Sequence, residues 1–283
     1  MLEELPFYSI SNSVLDDELQ INAARFKKTF NENFSDLGIR EFMFNLCKDS
    51  HFKSLQSSYF SCDQFNQRFV KCRNNIELSI FHLNIRSLNS KQREFCTLTN
   101  LLEVDFDILI LSEIWKNNID FYQNILDGYD LHTDLPVDSC VGGIGIFVKK
   151  ALPCKLRPDM RLQSSNLHKT ENLWLEISKN KTKYIVGGIY RHPNQNIQEF
   201  SDLIEPTLNK ISKGKLPCFI AGDINIDFLK VEINKNTENC LNNLLVHNFF
   251  PALLLPTRIT SNSAAVIDHI YYYQGTNSKK SIN

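Results

Sequence analysis

The stretch FIAGDINIDFL, residues 219–229, decides how the chain is read. Phe219, Ile220 and Ala221 form an apolar run that ends in Asp223, and Asn225 follows two residues later. A continuous apolar run of this kind reads as a strand buried on both faces. A carboxylate at its end needs a reason, because an unpaired buried charge is costly. In extended chain, residues two apart share a face, so Asp223 and Asn225 stand together. There the carboxylate can take a proton from water while the amide donates to a phosphate oxygen.

The same plan recurs along the chain. Strand-like runs cover 77–83, 106–111, 143–149, 173–178, 184–189, 216–221 and 265–273, and helical patterns cover 90–102 and 197–211. This is an α/β protein, with two packed sheets or one sheet covered by helices. FHLN stops at Asn84, LILSE at Glu113 and GGIY at Tyr190. Strand ends that converge on one edge would gather these residues with Asp223 at one rim, where ligands of α/β proteins bind. Taken alone, Asn84 reads as a turn residue. Glu113, between LILS and Ile114-Trp115, is poorly explained by structure and well explained by a hard cation such as Mg²⁺, which takes oxygen ligands and keeps its waters. Tyr190 precedes Arg191, His192 and Pro193, which places it at a loop mouth. Asp268, inside VIDHIYYY, needs a partner. Metal, base and phosphate donors together describe phosphodiester hydrolysis.

Composition narrows the classes. The 283 residues allow one large domain or two ordinary ones, and 42% hydrophobic with 22% charged residues excludes a disordered chain or a coiled coil. Lys plus Arg (31) balances Asp plus Glu (32), which excludes a broadly basic surface that grips nucleic acid by charge alone. With no run of 18 apolar residues and an acidic start, MLEELPFYSI, the chain reads as soluble and not secreted. Its eight cysteines are scattered without a CxxC pair, so neither a disulfide framework nor a zinc site is expected. Residues 1–75 read as an extension, with a helix over 15–30 whose acids precede its lysines and irregular structure over 50–75. The organised domain spans 76–274, and 275–283 is a polar tail.

LNIRSL, ILSEIW, GGIGIFVKK, GGIYRHP, FIAGDINIDFL, PTRITSNS and VIDHIY follow one another, between residues 76 and 273, in the order of the endonuclease/exonuclease/phosphatase superfamily. Their wording resembles the endonuclease domain of a non-LTR (LINE-type) retrotransposon. The resemblance implies a four-layer α/β sandwich, two mixed sheets face to face with helices outside. It implies Mg²⁺ (or Mn²⁺) bound by Glu113 with help from Asn84, and Tyr190 and Asn225 on the scissile phosphate. It implies that Asp223 positions or deprotonates the attacking water, and that Asp268, with Thr257 or Thr260 of PTRIT, supports the far wall. His269 abuts that wall and Arg191 adjoins Tyr190, both as substrate-side residues, although strand alternation turns His269 away from the face of Asp268. The implied partner is double-stranded DNA, with no membrane. Such domains are fused to a reverse transcriptase, which this chain lacks, and the implied location is intracellular and nuclear.

One departure stands out. Relatives carry a Ser-Asp-His motif beyond the IDHI segment, whose imidazole meets the phosphate, whereas the tail GTNSKKSIN contains neither Asp nor His. The resemblance therefore implies that the final strand is missing. Arg86 stands where some relatives hold a second acid. Three readings remain open: a DNA-nicking endonuclease, a catalytically impaired remnant of one, and a superfamily phosphatase or phosphodiesterase acting on a lipid or inositol phosphate. The retrotransposon wording argues against the third.

Overall fold

Buried runs with a strand period of two build two sheets, and which face each residue meets follows from that period. The computed structural model describes residues 59–69, 76–115, 122–137, 139–162, 170–253, 255–260 and 263–275; the helix expected over 15–30 lies outside them. Strands β1 (Ile80–Asn84), β2 (Ile108–Ser112), β3 (Tyr129–Asp134) and β4 (Ile144–Lys149) form a four-stranded sheet in the order β1-β2-β4-β3, with only β1 and β2 parallel. Strands β5 (Cys154–Leu156), β6 (Thr170–Lys179), β7 (Thr182–Arg191), β8 (Cys218–Asp223), β9 (Phe250–Pro251) and β12 (Asp268–Tyr273) form a six-stranded sheet in the order β5-β6-β7-β8-β12-β9, with only β7 and β8 parallel. Between β9 and β12, β10 (Arg258–Ile259) and β11 (Ala264–Ala265) make a small antiparallel ribbon. Among the described residues four α-helices cover the sheets: α1 (Cys62–Phe69), α2 (Leu88–Leu101), α3 (Ile197–Gly214) and α4 (Lys235–Val246).

Strand β2 shows how the layers form, because all five of its residues are buried. Ile108 and Ile110 face inward, where they meet Ile144 and Ile146 of β4 and Leu175, Val186 and Ala221 of the other sheet. Leu109 and Leu111 face outward, under Leu88, Phe95 and Leu98 of α2 and Phe65 and Phe69 of α1. On the far side, Phe200, Ile204 and Leu208 of α3 and Leu241 and Leu244 of α4 cover Trp174, Ile185 and Ile220. The result is helix, sheet, sheet, helix, the four-layer sandwich expected. Full burial of each such Ile, Leu or Phe contributes about 1.5–3 kcal/mol before entropy is counted, so the inner layer is what clamps the two sheets together.

Helix ends follow local chemistry. Asn196 caps α3 by accepting from the backbone N–H groups of Gln198 and Glu199, and Asn234 caps α4 through those of Asn236 and Thr237. The expectation of irregular structure over 50–75 fails at α1, whose Phe65 and Phe69 are buried against the sheet. Helix α4, in the Asn-rich KNTENCLNNLLV, and β3, in the polar YDLHTD, were not expected either. Strand β12 starts at Asp268, later than the run beginning at residue 265, because Ala264 and Ala265 turn back onto β10. Among the described residues no strand pairs with the outer edge of β1.

A close approach fixes the two strand tips that matter most. A Cβ on Gly222 of β8 would lie 1.7 Å from the carbonyl oxygen of Ile189 in β7. Only a residue without a side chain lets the two backbones meet there, one position before both Asp223 and Tyr190.

Candidate active site

Strand ends from both sheets converge on one amide. Asn84, the last residue of β1, donates through Nδ2 to Glu113 Oε1 (2.8 Å) and to Asp223 Oδ2 (2.6 Å), so one side chain links carboxylates from opposite sheets. Asp268 lies directly across from Asp223 in the β8–β12 ladder, on the same face. Left-handed backbone at Arg86, Ser87, Glu113, Trp115 and Asn225, none of them glycine, surrounds this cluster. Such conformations cost energy and concentrate at functional sites, where the surrounding structure holds them in place.

Beneath the carboxylates runs a hydrogen-bonded floor absent from the expected set. Ser112 Oγ accepts from the backbone N–H of Asp223 (3.1 Å) and lies 2.9 Å from His82 Nε2. The other ring nitrogen of His82 is 3.9 Å from Asp268 Oδ1, which is buried without a hydrogen-bond partner in the structure. Burial, reinforced by His269, holds the His82 imidazole down to about 3, so it is neutral. Thr257 Oγ1 accepts from the backbone N–H groups of Ile267 and Asp268 and seats the start of β12.

Burial pushes the Asp223 carboxyl up, and the charges of Asp268 and Glu113 push it further. Asp268 is also raised, first by burial and then by Glu113, against the opposing hydrogen bond of Thr257 and the charge of Arg258. A raised carboxyl stabilises the fold fully below its unfolded value near 3.9, and that stability is lost as pH rises through the folded value. Without divalent cations, Asp268→Asn should therefore melt higher than the natural chain, by a gap that opens above about pH 4 and then levels off. Melting curves across pH check this, and a gap that closes as pH rises would count against the raised carboxyl.

Tyr190, the penultimate residue of β7, is buried, and its phenol is pushed above the ordinary range by burial and by Glu113, Asp223 and Glu171. It stays protonated and able to donate. Asn225 does not continue an extended segment, as expected from its spacing, because β8 ends at Asp223 and the chain turns. Its backbone N–H donates to Asp223 Oδ1 (3.0 Å) and its side-chain amide donates to the carbonyl of Arg191 (2.8 Å). One amide hydrogen remains for a ligand.

Two expected substrate contacts are corrected. Arg191 is 1% exposed, and its guanidinium donates to the carbonyls of Ile224, Asn225 and Gln195. One residue after Tyr190, it takes the opposite face and braces the loop behind the site. His269 is 0% exposed, with Nε2 2.9 Å from the Ile226 carbonyl and its ring against Phe228 and Tyr271, so it belongs to the core. Thr260 bonds Ser263 across the exposed β10–β11 turn.

Sequence reasoning also missed Glu171. Across the β6–β7 ladder it faces Tyr190, is 5% exposed, accepts from the backbone N–H of Gly143 (3.2 Å) and lies 3.2 Å from His192 Nε2. The signal was present as a lone acid at the head of the apolar run in TENLWLEI.

A divalent cation fits this donor chemistry. Glu113, Asp223 and Asp268 offer only oxygens, they repel one another at close quarters, and Asp268 holds an oxygen that nothing else satisfies. Hard ions such as Mg²⁺ take such ligands and complete their shell with water. Among the described residues no three His, Cys, Asp or Glu side chains form a closed ligand cage. Asn84 turns its amide nitrogen to the carboxylates and its oxygen to the backbone N–H of Arg86 (3.2 Å).

Two mixed sheets lie face to face, with carboxylates, an amide and a phenol where their strand ends meet, an arrangement that suits a hydrolytic enzyme. The chain belongs to the Endonuclease/Exonuclease/phosphatase family, whose model matches residues 81–281. Among solved structures it is similar to the endonuclease domain of TRAS1, a telomere-specific non-LTR retrotransposon (TM-score 0.53, 13% identity, covering 69% of this chain and 83% of that one). It is also similar to a humanized D. rerio TDP2 (0.52, 14%, 71% and 85%) and to the AP endonuclease LMAP from Leishmania major (0.52, 10%, 69% and 78%). At these identities the likeness is one of fold. No curated protein matches its sequence.

Proposed function

We propose that this chain is a Mg²⁺- or Mn²⁺-dependent endonuclease of non-LTR retrotransposon origin that nicks double-stranded DNA in the nucleus, leaving a 3′ hydroxyl for a reverse transcriptase to extend. The observation that carries this reading is the bridge from Asn84 to both Glu113 and Asp223, which sets a ligand carboxylate and a base carboxylate on either side of one amide. The motif wording and the family membership support it.

The chain's own groups divide the work. Asp223, made more basic by burial and by its acidic neighbours, takes a proton from the attacking water. The water oxygen bonds to phosphorus while the bond from phosphorus to the 3′ oxygen breaks, and the 3′ oxygen leaves with the bonding pair and takes a proton from solvent water to become the 3′ hydroxyl. Tyr190 and the spare amide hydrogen of Asn225 donate to phosphoryl oxygens as negative charge builds. Glu113, braced by the Asn84 amide, would hold the cation, which supplies charge neutralisation during the cleavage.

The expected result is nicking of supercoiled plasmid in Mg²⁺ that EDTA abolishes. Mg²⁺ should raise the melting temperature through binding to the native state, and Glu113→Gln should remove that shift. Nicking undiminished by EDTA would overturn the reading. A second reading, an impaired member that binds duplex without cutting it, is favoured by one observation: Arg86, in left-handed backbone beside Asn84, stands where some relatives hold a second acid. It expects duplex binding with no nicking in any divalent cation.

A further inference from the structure

We propose that His192, held by Glu171, is a catalytic residue that donates to the phosphate being cleaved. The inference rests on the hydrolase reading above and adds to it a side chain that the sequence motifs leave without a role.

Position comes first. Glu171 and Tyr190 are direct partners across β6 and β7, so they share a face, and that face turns to the first sheet. His192 follows Tyr190 by two residues, just past the strand end, and its ring stands edge-on to that of Tyr190 with centroids 4.8 Å apart. Glu171, Tyr190 and His192 therefore line one wall of the cleft that Glu113 enters from the other sheet. The two walls are joined through backbone: Trp115 N–H donates to the Gly142 carbonyl (2.8 Å), and Gly143 N–H donates to Glu171 Oε2 (3.2 Å). Three hydrogen bonds, counting that of His192 to Glu171, thus connect the imidazole to Trp115, two residues beyond Glu113.

The pair is built to hold that ring. Glu171 keeps one oxygen on Gly143 and turns the other to His192 Nε2 at 3.2 Å, a buried carboxylate on a partly open imidazole. Gly142 leaves room for both, since a Cβ there would lie 2.9 Å from Glu171 Oε2 and 3.0 Å from His192 Nε2. With Nε2 committed to Glu171, Nδ1 is the atom that meets substrate. The groups facing the ring are the Glu171 carboxylate from β6, the Tyr190 ring and the Gly142 backbone. A phosphodiester arriving opposite Glu171 puts an anion on each side of the imidazole, and a ring carrying hydrogen on both nitrogens gives one charge-assisted hydrogen bond to Glu171 and one from Nδ1 to a phosphoryl oxygen. Glu171 acts through His192 and is a positioning residue, in the manner of a carboxylate that fixes an imidazole's orientation.

The experiment uses the full chain with His192→Ala, His192→Asn, Glu171→Gln and Asp223→Ala. On a short fluorescent duplex in Mg²⁺, His192→Ala should lower kcat about 10²-fold with KM little changed. His192→Asn, whose amide nitrogen stands near the place of Nδ1, should recover part of the loss. Glu171→Gln should lower kcat about 10-fold. In Ca²⁺, ¹⁵N spectra of the histidine rings should show both His192 nitrogens moving to imidazolium positions when duplex is added, a response weakened in Glu171→Gln. His192→Ala cutting at the natural rate while Asp223→Ala does not would overturn the proposal. So would a His192 ring that ignores the duplex, and this second readout decides the matter even if the natural chain cuts nothing and the endonuclease reading itself fails.

Discussion

Replacing Asp223 by Ala is expected to slow plasmid nicking by about 10⁴-fold, the upper range for loss of a positioned general base. The carboxylate is 2% exposed and cannot be replaced by bulk water without rebuilding the site. Its loss also frees Asn84, which now divides its amide between Asp223 and Glu113. With one acceptor gone the amide can rotate, so Glu113 loses its brace too. The backbone N–H of Asn225 loses its acceptor as well. Circular dichroism should be unchanged, because removing a buried, repelled carboxylate relieves the strained pair with Asp268. Comparable nicking by the variant would point to a contaminating nuclease or to another base.

Gly222→Ala is expected to be the most damaging alanine substitution among the described glycines. The added Cβ would lie 1.7 Å from Ile189 O and 2.7 Å from Ile189 C, contacts with backbone that no rotamer change relieves. Overpacking in a tight interior costs about 1–3 kcal/mol where side chains can yield, and more where only backbone can move. Here β8 is held on its other side by β12, with Gly222 paired to His269, so the strand cannot step away without breaking that ladder. Loss of most of the urea midpoint, or failure to accumulate as soluble protein, is the expected measurement. A variant with natural stability would mean that β7 and β8 do not meet as described. A milder variant that folds should still lose nicking, because the same contact sets Tyr190 beside Asp223.

Much of this was legible in the sequence because burial and polarity change sharply at the strand ends. Asn84, Glu113, Tyr190 and Asp223 each close an apolar run, and the structure brings all four together with Asp268. Elements whose inward face is narrow were not legible. In β3 only Tyr129 and Leu131 are buried, among four polar neighbours, and in α4 the buried Thr237, Cys240, Leu241 and Leu244 are spread through asparagines. Arg191 and His269 misled because a polar residue beside a site residue invites a role, while strand alternation sends it to the opposite face. Ser112, His82 and Glu171 were missed for a different reason. Their importance lies in contacts made across 111, 30 and 21 residues of chain, to Asp223, Ser112 and His192, which no local pattern records.

The order of the sheets along the chain has a consequence for how activity appears during synthesis. The four-stranded sheet is complete by Lys149, whereas every strand of the six-stranded sheet comes later, and Asn84 meets Asp223 across 139 residues. Contacts of such separation are made late and slowly, since loop-closure entropy must be overcome first. A growing chain that has released its first sheet already carries Asn84 and Glu113 yet has neither Asp223 nor Asp268. Its inner face, Ile108, Ile110, Ile144 and Ile146, stays uncovered until the second sheet docks. The nascent polypeptide is therefore sticky while its site is still unassembled, so that a chaperone meets it before the two halves of the site come together.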